Sequence, residues 1–558
     1  MCNCKGLLKA INAYIQKADD DLEEQLTAEG YADADLTVEA ASELEENIAT
    51  ALKAETALFL ADFEDSVDLE VFYSDVWPEI KGADDVDVKL KQAFMDEFQK
   101  TMPQFITSYI QDTDTELTLS QMSKRTTAWI EEWSEELGNI MKLNSADEFE
   151  RILIEGLDEG YSVEKVTRKV LDSGIRDEYY KARRASLTEM LRAHSVARQE
   201  GIMQSPAVET KTWVHSGTYK IKPRQNHVNI SGQTVPKDKP FTLTGADGGT
   251  YYPMYPRDRI LPVGETANCH CIHRGNASDD ILGMSLKERQ ELQQKAIEED
   301  DGAWEKELDA RNKAKAGINE ETIKMDWLKA KPKQGQINYL GSKNRWALVE
   351  SGVIQDDEDL AKLYQTKKTS TGKTVTVRKT LKTLRKDGII TVARYKTPQG
   401  NQKDPLKHST LGDFSNIKNP KKPAGGKNGG NMQKGGHSQT NIKHLEAKGI
   451  TYKVEKTYKN GVRIGGVQYH NEPEKKLGQT GQAWFPENWT DDDVLVAGTY
   501  VANFPEKICE INKGDELIGY KKFSKYKGLT VGVITDLEDN VGSIFPDKLQ
   551  RKVADIND

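Results

Sequence analysis

Residues 211–243, "KTWVHSGTYKIKPRQNHVNISGQTVPKDKPFTL", divide the chain into two kinds of sequence. Short runs of β-branched and aromatic residues alternate there with Gly, Pro and Asn, which predicts short strands joined by turns. Upstream, apolar positions recur at helical spacing, as in "ATALKAETALFLADF" at 49–63. We therefore predict a multidomain protein whose N-terminal half is mostly α-helical and is followed by a small α+β segment.

Length and composition indicate a polar protein of several domains. The chain has 558 residues, of which 37% are hydrophobic and 30% charged, and three or more domains are expected at this length. No apolar run approaches the roughly 20 residues needed to cross a bilayer. The N-terminal "MCNCKGLLKAINAYIQKADD" lacks a signal-peptide pattern, and five cysteines argue against a disulfide framework. We expect synthesis in the cytoplasm and no membrane span.

Charge is distributed unevenly along the chain. The net charge is −11, yet acidic residues dominate 1–120 and basic residues dominate 401–470. This asymmetry predicts separate partners for the two ends, with polyanions favoured at the C-terminal end. The predicted segments are 1–120, acidic and helical; 121–275, helical and then β-rich; 276–400, a helical linker with a small mixed α/β part; and 401–558, α+β.

Local signals in the helical half predict individual helix ends. Ser145, with Glu148 three residues later, has the spacing of a capping box, and Gly160 follows as a terminator. His194 lies in a long amphipathic pattern, and we expect it on the helix surface. This half shows no group of side chains with the chemistry of an active site.

Cysteine and histidine are concentrated between residues 213 and 273. Thiolate and imidazole ligands could form a tetrahedral zinc site that holds a small β-rich unit together. The candidate ligands are His227, Cys269 and Cys271, and the same segment also contains His215, His270 and His273. A Cys-x-Cys pair is a poorer chelating pair than Cys-x-x-Cys, so packed thiols and hydrogen-bonded histidines are the alternative.

The same residues carry a resemblance to a known family. The succession of Trp213, "PRQNH" ending at His227 and "NCHC" at 268–271 resembles the phage Mu F-like head morphogenesis family. The resemblance covers residues 121–275. It implies a minor head protein that associates with the portal protein and scaffold during capsid assembly and lies inside the virion near the portal. Many members have Arg between the two cysteines, where this chain has His270.

The C-terminal segment places glycine-flanked histidines on either side of a Gly/Lys-rich stretch. His408 precedes "STLGDF", His437 ends "KGGH", and "IKNPKKPAGGKNGGN" at 417–431 lies between them. Since imidazole has a pKa near 6.5, one ring can accept the 2′-OH proton of RNA while the other protonates the leaving 5′-oxygen. A following lysine can stabilise charge on the phosphorane. The segment has no carboxylate cluster suited to two metal ions, so we expect no required cofactor.

The last predicted strand of this segment offers a surface for a base. "NVGSIFP" at 540–546 places Ser543 and Phe545 on one face, two residues apart. A hydroxyl can hydrogen-bond to a base and an aromatic ring can stack on it, which is how single-stranded RNA is usually recognised.

These motifs resemble the EndoU endoribonuclease family over residues 401–558. They are "HSTLGDF" at 408–414, "GGH" at 435–437, "WFPENWTDDDV" at 484–494 and "SIFP" at 543–546. The resemblance implies metal-independent cleavage of single-stranded RNA near uridine, by 2′-OH transesterification to a 2′,3′-cyclic phosphate. It implies His437 as general base, His408 as general acid and Lys476 as the phosphate-stabilising lysine. Ser543 then takes the uracil-recognising position and Phe545 the stacking position.

Several assignments stay open at the level of sequence. The two histidines could exchange roles, and Lys475 competes with Lys476. His444, in a predicted helix, and His470, expected at an exposed strand end, are competing histidines. The last aromatic residue of the family is often Tyr and here is Phe545, which removes a hydroxyl but keeps the ring. We expect the Gly/Lys-rich stretch to form a surface loop.

Three interpretations of function fit these patterns. The first is a phage minor head protein with a C-terminal EndoU-type RNase, carried in the virion and delivered to the host cytoplasm, with a cognate immunity protein as a further partner. The second is a structural head protein whose degenerate nuclease fold only binds RNA. The third is a bacterial polymorphic toxin whose front half serves delivery. Neighbouring portal and scaffold genes would favour the phage head protein over the bacterial toxin. An RNA cleavage assay would distinguish an active nuclease from a degenerate fold that only binds RNA.

Overall fold

The computed structural model describes residues 21–61, 63, 68–172, 178–215, 223–266, 269–299, 325–392, 394–395, 405–415 and 430–556. The chain forms two compact units. The first comprises Met1–Leu60, Asp84–Ala146 and Ser173–Asn319, and the second comprises Ala61–Ala83, Asp147–Asp172 and Glu320–Asp558. Each unit is therefore built from three separate parts of the sequence. The four segments predicted from the sequence stay a prediction.

Long helices make up most of the first unit. They are Ala34–Ala61, Val86–Gln111, the first part of Lys124–Glu159, Glu178–Gln204 and Leu286–Glu299. Their apolar faces meet in one core, where Phe94, Phe98 and Phe105 are fully buried. Burying such a side chain stabilises the fold by about 1.5–3 kcal/mol. The predicted helical N-terminal half is confirmed, and none of the described helices is apolar over a length that could span a membrane.

The helix start predicted at Ser145 is wrong. Lys124–Glu159 is one continuous helix, and the Ser145 hydroxyl donates to the Met141 carbonyl at 3.2 Å instead of capping a new helix. Apolar residues that follow the serine in sequence, such as Phe149, are buried, so tertiary packing overrides the local capping signal. The predicted end is correct, because Gly160 follows the helix with φ +66°.

His194 is buried, not on the helix surface. Its ring stacks on Phe105 with centroids 3.8 Å apart, and its two nitrogens lie 2.5 Å from Thr37 Oγ1 and 2.9 Å from Tyr109 Oη. Burial lowers the pKa of His194 well below its usual value, so the ring is neutral. It is a hydrogen-bonded core residue.

Short strands form the β-rich part of the first unit. Val208–Val214 lies between Thr234–Pro236 and Ile272–Ala277 in an antiparallel sheet. The remaining elements are the paired strands Leu243–Thr244 and Thr250–Tyr251 and the short helices Gln225–Asn229 and Val263–Thr266. The small α+β segment predicted around residues 211–243 is confirmed.

Short helices and a hairpin precede the C-terminal segment in the second unit. The helices are Leu69–Val71, Phe72–Val76 (a π-helical turn), Trp77–Ala83, Val163–Asp172, Met325–Ala330, Lys333–Leu340, Lys343–Glu350, Asp357–Ala361 and Leu381–Lys386, and the hairpin pairs Tyr364–Lys368 with Thr374–Arg378. Buried Glu150 connects three of these parts. It accepts from the Tyr73 hydroxyl at 3.0 Å, Lys81 Nζ at 2.7 Å and the Arg378 amide at 2.7 Å.

The C-terminal segment has α+β architecture, as predicted. Its elements are α1 (Pro405–Thr410), β1 (Asp413–Phe414), β2 (Met432–Lys434), α2 (Gln439–Ala447), β3 (Tyr452–Thr457), β4 (Arg463–Val467), β5 (Gln482–Trp484), α3 (Asp491–Asn503), β6 (Lys507–Lys513), β7 (Glu516–Tyr526), β8 (Leu529–Thr535) and β9 (Asn540–Pro546). Strands β6 to β9 form an antiparallel sheet, which Arg394–Tyr395 extends parallel to β9. Strands β3, β4 and β5 form a second antiparallel sheet.

Helix α3 packs on the larger sheet and closes the main core of the second unit. A Cβ at Gly498 would lie 2.3 Å from Ile544 Cδ1 in β9, so only glycine permits this close approach. A capping box between Thr490 and Asp493 fixes the start of the helix. The same core contains buried apolar residues from 325–392. The described part of 325–392 therefore packs together with the C-terminal segment.

Candidate active site

His437 lies in the turn between β2 and α2, next to two glycines with positive φ. At Gly435, φ is +69°, and a Cβ would lie 2.0 Å from the His408 carbonyl oxygen. This close approach lets the Gly436 amide donate to the His408 carbonyl at 2.9 Å and the His437 amide donate to the Ser409 carbonyl at 2.5 Å. The glycines therefore hold the main chains of His408 and His437 side by side.

The His437 side chain is a buried imidazole with one nitrogen fixed. Nδ1 lies 2.8 Å from the carbonyl oxygen of Ala483 in β5. Because a carbonyl oxygen only accepts, Nδ1 carries the proton and Nε2 carries the lone pair. Burial, together with the nearby charge of Lys475, lowers the pKa of His437 to about 3. The ring is neutral near pH 7, and its Nε2 can accept a proton.

His408 lies in α1 and is paired with a carboxylate. Its Nδ1 is 3.0 Å from Asp413 Oδ2 in β1. A carboxylate accepts the Nδ1 proton and fixes the ring, which leaves Nε2 for proton transfer. Helix α1 is also bound to β9, because Ser409 Oγ accepts from the Ile544 amide at 2.8 Å. His408 is thereby held next to the strand that carries Ser543 and Phe545.

The two neighbouring lysines have different surroundings. Lys475 Nζ pairs with Glu472 Oε2 at 2.7 Å, and its charge contributes to the lowered pKa of both His437 and His470. Lys476 is exposed. Its main chain packs against Gly466, where an added Cβ would lie only 2.0 Å from the Lys476 carbonyl oxygen. Of the two lysines, Lys475, the alternative that the sequence left open, is thus the one whose charge contributes to the lowered pKa of His437.

The competing histidines also differ from each other. His470 is not exposed at a strand end as expected: it is 1% exposed and accepts from the Glu472 amide through Nδ1 at 3.0 Å. Its Nε2 is buried and has no hydrogen-bond partner among the described residues. Burial and the Lys475 charge lower the pKa of His470 to about 4. His444 lies in helix α2, as predicted, with its ring centroid 4.8 Å from that of Phe414.

The face of β9 that carries Ser543 and Phe545 lies beside His437. Phe545 is opposite Gly532 in β8, and Gly532 is opposite Phe523 in β7. A Cβ at residue 532 would lie 2.5 Å from the Phe545 ring and 2.7 Å from the Phe523 ring, so glycine makes room for both. The Phe545 and His437 ring centroids are 6.2 Å apart. Ser543 is mostly buried, with 8% of its surface exposed.

Three residues that shape this site had no role predicted from the sequence. Asp413 fixes His408, Glu472 pairs with Lys475, and Gln482 Nε2 donates to the Gly436 carbonyl at 2.7 Å. Asp413 lies inside the quoted "HSTLGDF" motif, so a signal for it was present, whereas Glu472 and Gln482 stand in no motif. Most of the predicted Gly/Lys-rich surface loop lies outside the described residues.

The metal-ligand candidates of the first unit also come together. The ligand atoms of His227, Cys269 and Cys271 lie within 4.8 Å of one another, and all three residues are buried. Among the described residues this is the one group of His, Cys, Asp and Glu side chains close enough to hold a metal ion. The residues that could bind a metal are therefore those that the sequence predicted.

Comparisons with known proteins match both parts of the chain. The family model "Phage Mu protein F like protein" matches residues 147–274, and "Bacterial EndoU nuclease" matches residues 403–548. The uncharacterized protein YqbB of Bacillus subtilis (strain 168) is 31% identical over 305 residues, which cover 52% of this chain and 97% of YqbB. No solved structure matches the chain significantly. The second model spans His408, His437 and Phe545.

Proposed function

Since the chain belongs to the family of YqbB and joins a phage Mu F-like segment to a bacterial EndoU nuclease domain, we propose that it is a minor head protein whose nuclease domain cleaves single-stranded RNA beside uridine. The observation that carries the proposal is the neutral His437 imidazole, with Nδ1 fixed by a carbonyl and His408 held next to it. Such an arrangement suits proton transfer at neutral pH.

His437 acts as the general base. Its Nε2 accepts the proton of the ribose 2′-OH, and the resulting oxygen attacks the adjacent phosphorus. The lowered pKa of about 3 keeps the ring unprotonated at neutral pH. The hydrogen bond from Nδ1 to the Ala483 carbonyl stabilises the imidazolium that forms when Nε2 takes the proton. The nucleophile belongs to the substrate, so DNA, which lacks the 2′-OH, is not cleaved.

His408 acts as the general acid. It donates a proton to the 5′-oxygen as the bond between that oxygen and phosphorus breaks, which leaves a 2′,3′-cyclic phosphate and a 5′-hydroxyl. The Asp413 carboxylate on Nδ1 holds the ring in place and balances its charge while it is protonated. These different partners, a carbonyl for His437 and a carboxylate for His408, support the assignment of base and acid.

Lys475 stabilises the phosphorane. Negative charge builds on the non-bridging oxygens in the transition state, and a fixed ammonium nearby lowers its energy. Lys475 is held by Glu472 and acts electrostatically on His437, whereas Lys476 is exposed. The sequence resemblance pointed to Lys476, and the geometry leads us to propose Lys475 in its place.

Ser543 and Phe545 receive the base next to the cleaved bond. The Phe545 ring can stack on uracil, and the Ser543 hydroxyl can bond to its edge. The Phe545 and His437 ring centroids are 6.2 Å apart, so a base stacked on Phe545 would lie within one nucleotide of the proton acceptor. This proximity supports a preference set at the nucleotide whose 2′-OH reacts.

The head role rests on the phage Mu F-like segment. The partners we propose are the portal protein and the scaffold during assembly, with the chain carried inside the virion and its nuclease domain delivered to the host. A cognate immunity protein would protect the cell that makes the chain. Particles assembled from portal, scaffold and capsid proteins with the full chain should contain it, and its exclusion from such particles would remove the head role while leaving the nuclease intact.

The nuclease proposal is tested by digesting matched RNA and 2′-deoxy oligonucleotides with the full chain. The full chain is required because residues 325–392 share the core of the nuclease domain. We expect cleavage of the RNA beside uridine in excess EDTA, with cyclic-phosphate and 5′-hydroxyl ends, and no cleavage of the deoxy substrate. Circular dichroism recorded in EDTA separates loss of folding from loss of chemistry. Inactivity of the folded protein in EDTA, or cleavage of the deoxy strand, would contradict the mechanism.

A further inference from the structure

His215 lies beside the group formed by His227, Cys269 and Cys271 and is a candidate for a fourth ligand. Strands Val208–Val214 and Ile272–Ala277 pair with Val214 opposite Ile272, so the next pair outward is His215 opposite Cys271. His215 Nδ1 lies 3.4 Å from Cys271 Sγ, and the His215 main chain is fixed by a hydrogen bond from its amide to Ser231 Oγ at 3.1 Å. The short helix Gln225–Asn229 supplies His227 to the same thiols.

We propose that His215, His227, Cys269 and Cys271 bind one Zn²⁺ ion in a tetrahedral site. His227 Nδ1 lies 3.5 Å from Cys269 Sγ and 3.6 Å from Cys271 Sγ, and His215 Nδ1 lies 3.4 Å from Cys271 Sγ. With Zn–S about 2.3 Å and Zn–N about 2.05 Å, a tetrahedral zinc site requires nitrogen–sulfur separations of about 3.6 Å. The three observed separations have this length.

The groups around the ligands are arranged as in a metal site. Glu265 Oε2 lies 2.8 Å from His227 Nε2, and since a carboxylate accepts, the Nε2 proton is fixed there and the Nδ1 lone pair faces the thiols. Glu265 is itself held by the Ala246 amide at 2.7 Å and Asn226 Nδ2 at 3.0 Å. Such a carboxylate partner orients a ligating histidine and raises its affinity for zinc.

An apolar shell encloses the thiols. Trp213 and Phe241 are fully buried against Cys269 and Cys271, and the Trp213 ring meets the His227 ring edge-on with centroids 5.8 Å apart. Two thiolates and two imidazoles in tetrahedral arrangement select zinc over harder cations such as Mg²⁺. Protein ligands would fill all four positions, which is the mark of a structural site with no open position for catalysis.

The function of this zinc is to hold the β-rich part of the first unit together. The ion would connect the end of strand Val208–Val214, the helix Gln225–Asn229 and the residues that lead into strand Ile272–Ala277. These are short elements, and a bound metal supplies folding free energy in addition to their own packing. The site is separate from the nuclease chemistry and lies in the other unit.

The test is elemental analysis of the full chain purified without chelator. We expect about one zinc per chain, and the Cys269→Ser/Cys271→Ser double variant should lose it. Cys509→Ser is the matched control, because Cys509 is also a buried free thiol but lies in β6. A Cys2→Ser/Cys4→Ser variant controls for the other two thiols of the chain. Both controls should keep the zinc.

Two further measurements cover a variant that fails to fold. A strong chelator should lower the melting temperature of the wild-type protein, and added Zn²⁺ should restore it, with no such response in the double variant. His215→Ala tests the fourth ligand: it should bind zinc more weakly than wild type in a chelator competition. Metal-free wild-type protein with two freely alkylated thiols at 269 and 271, or a Cys269–Cys271 disulfide detected by mass spectrometry, would overturn the proposal. Zinc retained by the double variant would do so as well.

Discussion

The molecule contains two clusters of histidines that differ in which ring nitrogen is fixed and what the other one faces. In the nuclease domain, Nδ1 of His437 is bound to a carbonyl and Nδ1 of His408 to a carboxylate, so each Nε2 is left for a substrate. In the β-rich part of the first unit, Nε2 of His227 is bound to Glu265, and Nδ1 faces two thiols. The difference distinguishes the site for which we propose proton transfer from the site for which we propose zinc binding.

The strongest test of this contrast is to substitute one residue in each cluster and to measure both RNA cleavage and zinc content for each variant. His437→Ala should lower RNA cleavage by about 10²–10⁴-fold, since it removes the general base, and should leave the zinc content unchanged. Cys269→Ser should do the reverse: it should lower zinc content and thermal stability while the cleavage rate below the melting temperature stays at the wild-type value. Zinc content, melting curves and initial rates on one RNA measure all three effects.

The control for the first substitution is His444→Ala, a histidine of the same domain that lies in α2 and is partly exposed. It should keep wild-type activity. His408→Ala should lower the rate as far as His437→Ala does, because both proton transfers are needed in one step. Equal loss of activity from His444→Ala and His437→Ala would remove the distinction between the catalytic and the ordinary histidines.

The next largest effect should separate the adjacent lysines. Lys475→Ala should lower kcat by about 10²-fold, in line with the loss of one group that stabilises the transition state. Lys476→Ala should have little effect, because its side chain is exposed. Steady-state kinetics of both variants on a short uridine-containing RNA measures this. A larger loss from Lys476→Ala would return the role to the residue that the sequence resemblance favours.

Phe545→Ala should act mainly on binding and base preference. Stacking of one base on an aromatic ring is worth about 1–3 kcal/mol, so KM should rise by about 5–150-fold while kcat changes less. The preference for uridine over other bases should weaken at the same time. Phe523→Leu is the matched control, since Phe523 packs edge-on against Phe545 and has no proposed role in binding the base. Loss of kcat alone in Phe545→Ala would argue against a stacking role.

The smallest expected effect is a shift in the pH profile. The base must be unprotonated, so kcat/KM should fall on the acid side only as the pH approaches the His437 pKa of about 3. The Lys475 charge lowers that pKa, and Lys475→Gln should therefore raise it and move the acid limb to higher pH. Lys476→Gln should leave the limb in place. Circular dichroism at each pH excludes unfolding as the cause, and an unmoved limb in Lys475→Gln would contradict the assignment.

Motifs in the sequence predicted the residues that we propose for the nuclease site, but not the contacts on which their proposed roles rest. His408, His437 and Phe545 lie in short sequence motifs that can be recognised without knowledge of the tertiary structure. The choice between Lys475 and Lys476 depends on the conformation of the short turn Pro473–Lys475 and on its packing against Gly466 and Gly481. No local pattern encodes that packing.

Burial was the property that sequence reasoning predicted least well. His194 and His470 were both expected on the surface and both are 1% exposed. Thr37 and Tyr109 provide the hydrogen bonds of His194, and both are distant in sequence. The same holds for Ser145, where burial of later residues such as Phe149 favours one continuous helix. The local sequence indicates that a histidine is exposed or that a serine caps a helix. Packing partners that are distant in sequence decide whether that local preference is realised.

The core that residues 325–392 share with helix α3 and the larger sheet also limits how this nuclease can be exchanged between genomes. A recombination point between residues 392 and 405 would leave the catalytic motifs whole but would part them from the buried apolar residues upstream. A recipient protein would inherit an incomplete module. Because the same compact unit also includes Ala61–Ala83 and Asp147–Asp172, the heritable nuclease module is longer than the stretch that contains its motifs.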